Sequence, residues 1–253
     1  MAVLITMFIM GLLLGFVGAG GAGVVIAVLT TVFGIPIHTA LGTSLGAMAF
    51  TTLSGAYSHF REGNVNVKIG TAVGIIGAAG AFIGAKISSL LPADNLKWLT
   101  AGMLFVSAIL IYIKVFHPAK GIFGCRENGS APGRMKFWLN ACGLGLVAGL
   151  LSGTFGIGAT PFIQIGLLLF FNITLYETVG TTMLVILPIA VLGGFGYMTS
   201  GYLDFSLFIK VVLGLVLGAY IGAKFTRHMY PIVLKTMMVA IPIIGAVLLI
   251  AGS

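Results

Sequence analysis

The sequence predicts an all-α integral membrane protein that contains two homologous repeats. Hydrophobic residues make up 59% of the 253 positions and charged residues only 7%, whereas a soluble domain carries about 25% charged residues. The apolar runs are long and continuous, which favours transmembrane helices over the short alternating strands of a barrel. A third observation is internal similarity, because the sequence pattern recurs after a shift of 138 residues.

Eight apolar runs define the predicted membrane segments, since a helix needs about 20 residues to span a bilayer. The runs are 2–33, 39–58, 67–90, 97–116, 137–171, 178–198, 205–224 and 230–251. The polar segment 117–136 is predicted as a loop that connects a first transmembrane repeat, 1–116, to a second, 137–253. The first run lacks a preceding charged side chain and continues past Gly23, so we expect no cleaved signal peptide.

The two longest runs are each interrupted by a cluster of glycines. In the first, GAGGAG from Gly18 to Gly23 separates predicted helical pieces at 2–17 and 24–33. In the second, GTFGIGATP is the interruption, and Pro161 falls just inside the following piece, where a missing N–H costs little. Each run is therefore predicted as a broken or re-entrant helix, followed by three transmembrane helices.

The two halves align without a gap. GLLLGFVGAGGAG from Gly11 falls on GLLSGTFGIGATP from Gly149, and GAFIGAK from Gly80 falls on GAYIGAK from Gly218. Between them, GIPIHTALGTS falls on NITLYETVGTT. Internal duplication of this kind is typical of secondary transporters.

The distribution of basic residues favours inverted repeats over parallel ones. An inverted arrangement places ten of the 13 Lys and Arg residues on one side, and a parallel arrangement about eight. The inverted topology predicts a cytoplasmic 117–136 loop and both termini outside. Charge counting does not separate a re-entrant hairpin from two full crossings. The ten residues are Arg61, Lys68, Lys114, Lys120, Arg126, Arg134, Lys136, Lys224, Arg227 and Lys235, and the other three are Lys86, Lys97 and Lys210.

The two breaks are predicted to line an anion-binding site at the midplane. A helix that begins inside the membrane presents unpaired N–H groups and the positive end of its dipole. Hydroxyl pairs in the following helices occupy equivalent positions, and hydroxyls donate to an anion without carrying charge. They equally suit hydrogen bonding between helices. The predicted binding residues are Gly20, Gly21, Gly23, Thr43 and Ser44 in the first half, and Gly156, Gly158, Thr160, Pro161, Gln164, Thr181 and Thr182 in the second.

Several classes of function are not indicated. The two cysteines form no CxxC motif and HExxH is absent, so we expect neither a metal nor a cofactor. No catalytic constellation or basic nucleic-acid motif is present, which argues against an enzyme or a nucleic-acid-binding protein. The expected partners are a small anionic substrate and the lipid bilayer. Recurrent GxxxG spacings allow close helix packing, and the sequence leaves a homo-oligomer open.

These motifs resemble the TauE/SafE sulfite exporter family of membrane transporters. The resemblance rests on GFVGAGGAG, ALGTSLGAMAFTTLSGAYSH and GAFIGAK, together with their reprise in GLLSGTFGIGATPF, VGTTM and GAYIGAK. It implies a cell-membrane transporter that exports, or sometimes takes up, sulfur oxyanions, such as sulfite, and small organosulfonates. The repeated helix breaks, with hydroxyls at equivalent positions, predict alternating access around the midplane site. Two alternatives remain: a passive anion channel, and a non-transporting membrane scaffold that acts through its GxxxG faces.

Overall fold

The computed structural model describes residues 1–17, 22–116, 134–171, 173–226 and 231–251. These residues form ten α-helices and contain no strand. In chain order the helices are α1 Ala2–Val17, α2 Ala22–Thr31, α3 Ile37–Arg61, α4 Val67–Leu90, α5 Ala93–Phe116, α6 Arg134–Phe155, α7 Thr160–Phe171, α8 Leu175–Thr199, α9 Phe205–Thr226 and α10 Pro231–Ala251.

The second interrupted run consists of two helices, as predicted. In the first run α1 and α2 are described, and residues 18–21 between them lie outside the described residues. The second is divided into α6 and α7, with Pro161 as the second residue of α7. Two of the predicted boundaries differ here. Helix α2 is Ala22–Thr31 instead of 24–33, so Gly23 is helical, and α6 includes Arg134, so the last three residues of the predicted loop are helical.

Polar side chains fix the beginnings of three long helices. Asn66 Oδ1 accepts from the Ile69 N–H at 3.2 Å at the start of α4. Asp204 Oδ1 accepts from the N–H groups of Ser206 and Leu207 before α9. Thr174 and Glu177 form a capping box at α8. These caps satisfy N–H groups that the first helical turn leaves unpaired.

Glycines allow two pairs of helices to pack backbone against backbone. On α6, Gly145, Gly149 and Gly153 lie against Val73, Gly77 and Ala81 of α4, in rising order, so the two helices run parallel. A Cβ on Gly149 would overlap the Gly77 carbonyl group. The predicted close approach at the GxxxG motifs of α4 and α6 is confirmed.

The same contact recurs between α1 and α9. Gly11 of α1 lies against Leu215, and Gly218 of α9 lies against Phe8 and Leu12. These positions are equivalent to those of the α4–α6 contact under the 138-residue shift. In each case, therefore, the first helix of one half packs against the fourth helix of the other half.

Helices α3 and α8 cross in opposite directions. Gly42, near the start of α3, lies against Tyr197 near the end of α8, whereas Gly55 lies against Met183. Helix α4, by contrast, runs parallel to α8, because Gly70 lies against Leu184 and Gly77 against Ile189.

Helices α6 and α7 form an antiparallel hairpin. The Asn140 side-chain amide donates to the Phe170 carbonyl oxygen at 3.2 Å, and Gly166 lies against Leu144. The tip of this hairpin is the second break, residues 156–159.

The apolar character extends from the core to the outer surface. Within the described part of the chain, four helices are long and apolar enough to cross a bilayer: Val67–Leu90, Ala93–Ile113, Arg134–Phe155 and Glu177–Thr199. Large apolar side chains such as Ile75 and Leu139 are exposed on the outside. Helices with apolar residues facing both the core and the exterior are those of a bilayer-embedded bundle.

Candidate functional site

The second break has a left-handed backbone. The φ angles are +66° at Gly156, +72° at Gly158 and +45° at Ala159. Glycine adopts this region freely, while an alanine there costs about 1–2 kcal/mol. Left-handed residues in a turn can direct successive N–H groups into one concave nest, which is a recurrent anion-binding geometry.

The residues of this break are buried, and three of their N–H groups have no backbone partner in the described part of the chain. Residues 156–160 are all buried, yet the N–H groups of Ile157, Gly158 and Ala159 form no hydrogen bond with another described residue. The ladder of α7 begins only where Ile163 N donates to Ala159 O at 3.1 Å. Buried N–H groups are nearly always satisfied, so these donors, which have no partner among the described residues, are available to an acceptor at the positive end of α7.

Two buried hydroxyls accompany these donors. The Thr160 side chain is 3% exposed, and its hydroxyl has no hydrogen-bond partner among the described residues. It lies beside the break, since a Cβ built on Gly158 would be 3.7 Å from Thr160 Oγ1. The hydroxyl of Ser152, in the last turn of α6, is likewise buried and without a described partner.

Helix α3 of the first half supports the break. Gly156 lies against Leu41 and Gly158 against the thioether of Met48. Ser44, on the same helical face as these two residues, donates from Oγ to the Ala22 carbonyl oxygen at 3.0 Å. One face of α3 therefore contacts both the second break and the first residue of α2.

The two predicted hydroxyl pairs lie far apart. Thr43 is next to Gly42, which packs against Tyr197, whereas Thr181 is next to Gly180, which packs against His59. Thr181 and Tyr197 are 16 residues apart on α8, a separation of about 24 Å at 1.5 Å per residue. Thr43–Ser44 and Thr181–Thr182 thus occupy opposite ends of the α3–α8 contact.

The second hydroxyl pair makes structural hydrogen bonds. Thr181 Oγ1 accepts from the Asn66 N–H at 2.9 Å, at the start of α4. Thr182 Oγ1 donates to the Thr178 carbonyl oxygen at 2.6 Å within α8. Thr43 differs, because its buried hydroxyl has no hydrogen-bond partner among the described residues.

The other predicted site residues have varied positions. Gly23 is buried in α2 and packs against Leu104 of α5. Gln164 is buried in α7, one turn beyond Pro161. Gly20 and Gly21 lie outside the described residues, so the geometry predicted for the first break stays a prediction.

The contacts of Thr181 predict an effect on stability. Thr181→Val should lower the free energy of unfolding by about 1 kcal/mol, because the Asn66 N–H loses its acceptor. Thr182→Val is the matched control, since that hydroxyl only donates to a carbonyl within its own helix. Thermal unfolding in detergent measures both variants. Equal melting temperatures for the two would contradict the assigned difference.

Sequence reasoning did not include Ser152, Met48 or Tyr197 in the site. Ser152 aligns with Leu14 of the first half. The sequence signal for Ser152 was therefore a hydroxyl that is present in only one of the two aligned motifs. Met48 gave no polar signal. Tyr197 aligns with His59. The sequence signal for Tyr197 was this pair of polar aromatic residues at equivalent positions of the two halves.

The site is electrically neutral. Among the described residues no Asp, Glu, Lys or Arg side chain is buried. The same residues contain no cluster of three or more His, Cys, Asp or Glu that could hold a metal. The chemistry available at the break is consequently hydrogen-bond donation from backbone N–H groups and hydroxyls.

Fold and site together define a multi-pass helical membrane protein with an interrupted, polar helix hairpin in its interior. The sequence profile described as Sulfite exporter TauE/SafE matches residues 3–249. The chain belongs to this family, and it is a membrane transporter of the cell membrane.

Named relatives agree with this assignment. The chain is 54% identical over 250 residues to the probable membrane transporter protein YdhB of Bacillus subtilis, covering 99% of this chain and 100% of that protein. It is 29% identical to the probable membrane transporter protein YjnA of the same organism, covering 95% of each. Identity to the probable membrane transporter protein MJ0441 of Methanocaldococcus jannaschii is 28%, covering 92% and 89%. No solved structure matches the chain.

Proposed function

We propose that this protein is a secondary transporter that exports sulfur-containing oxyanions, such as sulfite or small organosulfonates, by alternating access. The observation that carries the proposal is the second break, whose buried residues contribute N–H groups and the Thr160 hydroxyl with no hydrogen-bond partner among the described residues. The family description, which names sulfite export, supports the substrate class.

The chemistry of the break suits an oxyanion. The oxygens of an oxyanion accept hydrogen bonds. The break offers hydrogen-bond donors, and no buried carboxylate among the described residues competes for them. Because the break carries no charged side chain, the empty site also avoids the free-energy cost of burying a permanent charge. Binding is then strong enough to replace hydration but leaves no buried ion pair that would oppose release.

We propose further that the two halves are inverted repeats and that α6–α7 is a re-entrant hairpin. The antiparallel crossing of α3 and α8, which are equivalent helices, supports inversion, because repeats related by an axis along the membrane normal would place them parallel. The antiparallel packing of α6 and α7 supports re-entry. Inverted repeats provide alternating access, since exchanging their conformations exchanges the open side.

Transport of labelled sulfite or sulfoacetate into proteoliposomes tests the function. The purified protein should mediate saturable uptake and counterflow. Thr160→Val should reduce the initial rate by about tenfold or more, since a hydrogen bond to a charged group contributes about 1.5–3 kcal/mol. Thr71→Val is the control, because that exposed hydroxyl donates to the Val67 carbonyl oxygen on α4.

Three results would overturn the proposal. Voltage-dependent flux without counterflow would indicate a channel. Absence of flux with every sulfur anion, in a correctly folded preparation, would favour a scaffold. An unchanged rate in Thr160→Val would remove the second break from the site.

A further inference from the structure

The end of α8 carries a buried tyrosine whose hydroxyl connects three helices. The Tyr197 side chain has no exposed surface. Its hydroxyl donates to the Gly153 carbonyl oxygen at 2.8 Å and shares a second hydrogen bond, of 2.9 Å, with the Ser88 hydroxyl. Helices α8, α6 and α4 are therefore joined at one point.

This connection is made to the hairpin itself. Gly153 lies in the last turn of α6, three residues before Gly156 and the break. Displacement of the hairpin tip relative to α8 breaks the bond between Tyr197 and Gly153. The Tyr197 hydroxyl is thus a side-chain group of α8 that is hydrogen-bonded to the last turn before the tip.

The equivalent position at the opposite end is built differently. Gly42 lies against Tyr197 and the Tyr202 carbonyl, and in the other half Gly180 lies against His59 and the Asn64 carbonyl. The backbone arrangement is therefore the same at both ends. The side chains differ, however, because the His59 side chain is 31% exposed. Its Nδ1 atom has no hydrogen-bond partner among the described residues, and it lies 3.8 Å from a carboxylate oxygen of Glu62.

A second buried group strengthens the Tyr197 end. His38 Nε2 lies 3.1 Å from the carbonyl oxygens of both Ser88 and Leu91, and its ring stacks on Tyr202 at 4.8 Å. Since both neighbours of Nε2 are acceptors, this nitrogen carries a proton and donates to the end of α4. The Tyr202 hydroxyl forms no hydrogen bond with another described residue, which makes it a useful comparison.

We propose that Tyr197 is the latch that closes one end of the transport pathway, by holding α8 against the tip of the α6–α7 hairpin and against the end of α4. The inference rests on the proposed transport function, and His59 marks the corresponding position at the other end. Opening toward the Tyr197 end requires loss of the hydrogen bonds to Gly153 and Ser88. Tyr197 positions the hairpin and does not touch the substrate.

Side-specific accessibility tests the latch without any substrate. Thr160→Cys is introduced in a Cys125→Ser, Cys142→Ser background, and labelling by a membrane-impermeant maleimide is measured in right-side-out and inverted vesicles. Tyr197→Phe should raise the labelling rate about fivefold from one side only, the shift expected when one net hydrogen bond of about 1 kcal/mol is lost. Ser88→Ala removes the other hydroxyl and should raise the rate from that same side.

Tyr202→Phe is the matched control, and its labelling rates should equal those of the parent. Unchanged labelling in both folded variants, Tyr197→Phe and Ser88→Ala, would overturn the latch, as would an equal increase from both sides. If Tyr197→Phe is not recovered folded, Ser88→Ala decides the question. Transport assays are separate: a one-sided increase in a protein that moves no sulfur anion supports the latch and rejects the proposed function.

Discussion

Gly158→Ala is expected to impair sulfur-anion transport severely in a protein that still folds. At φ +72° an alanine is strained by about 1–2 kcal/mol, and its methyl group would displace the Met48 thioether beside the break. The methionine is flexible, so the fold accommodates the methyl group. The N–H groups of the break, however, lose their present geometry. Uptake into proteoliposomes should fall at least about tenfold, as for loss of one hydrogen bond to an ion.

Two variants separate strain from site geometry. Gly201→Ala imposes similar strain at φ +79°, in open space away from the break, and should transport normally. Ala159→Gly relieves strain within the break and should also retain transport. If Gly201→Ala lost as much activity as Gly158→Ala, general destabilisation would explain the result and the break would have no special role.

Gly149→Val is expected to prevent accumulation of folded protein. The Cβ atom of a valine at position 149 of α6 would overlap the Gly77 carbonyl group, which belongs to the backbone of α4. This overlap is relieved only if α4 and α6 separate. Overpacking against mobile side chains alone, by comparison, costs about 1–3 kcal/mol. Fluorescence-detected gel filtration of a tagged protein should show loss of the monodisperse peak.

Gly143→Val provides the comparison in the same helix. No atom lies within 4 Å of a Cβ at Gly143, and the position is exposed. This variant should elute like the parent protein. A monodisperse Gly149→Val protein, or equal loss in both variants, would contradict the close contact between α4 and α6.

The secondary structure was largely predictable because the apolar runs, and the glycine and proline residues that interrupt them, are explicit in the sequence. The GTFGIGATP segment divided the second long run correctly into α6 and α7, whereas Ala22 and Gly23 of the first glycine cluster are helical in α2. Pro161 marked the start of α7 because proline suits a first helical turn. The GxxxG motifs identified helices that approach closely, although not which helix each one meets.

The arrangement of the candidate site was less predictable. Equivalent positions in two aligned halves were expected to converge, but α3 and α8 cross antiparallel, which puts Thr43 and Thr181 at opposite ends. The sequence contains no local signal for that crossing direction. Nor does it show that Thr181 accepts from Asn66, a contact between residues 115 positions apart.

Tyr197 illustrates a similar limit. Its alignment with His59 indicated a recurrent aromatic position, but its role depends on Ser88 and Gly153, which come from two other helices. Hydrogen bonds between distant segments follow from helix packing, and periodicity within one segment does not reveal them.

Equilibrium binding of a sulfur anion tests whether the second break is an anion site. Titration of sulfite and sulfoacetate into detergent-solubilised protein, followed by thermal shift, should show saturable stabilisation, because a ligand that binds only the folded state raises its melting temperature. Gly158→Ala is expected to lose this response, whereas Gly201→Ala is expected to keep it. Equal saturable stabilisation of Gly158→Ala and the parent protein would contradict an anion site at the break.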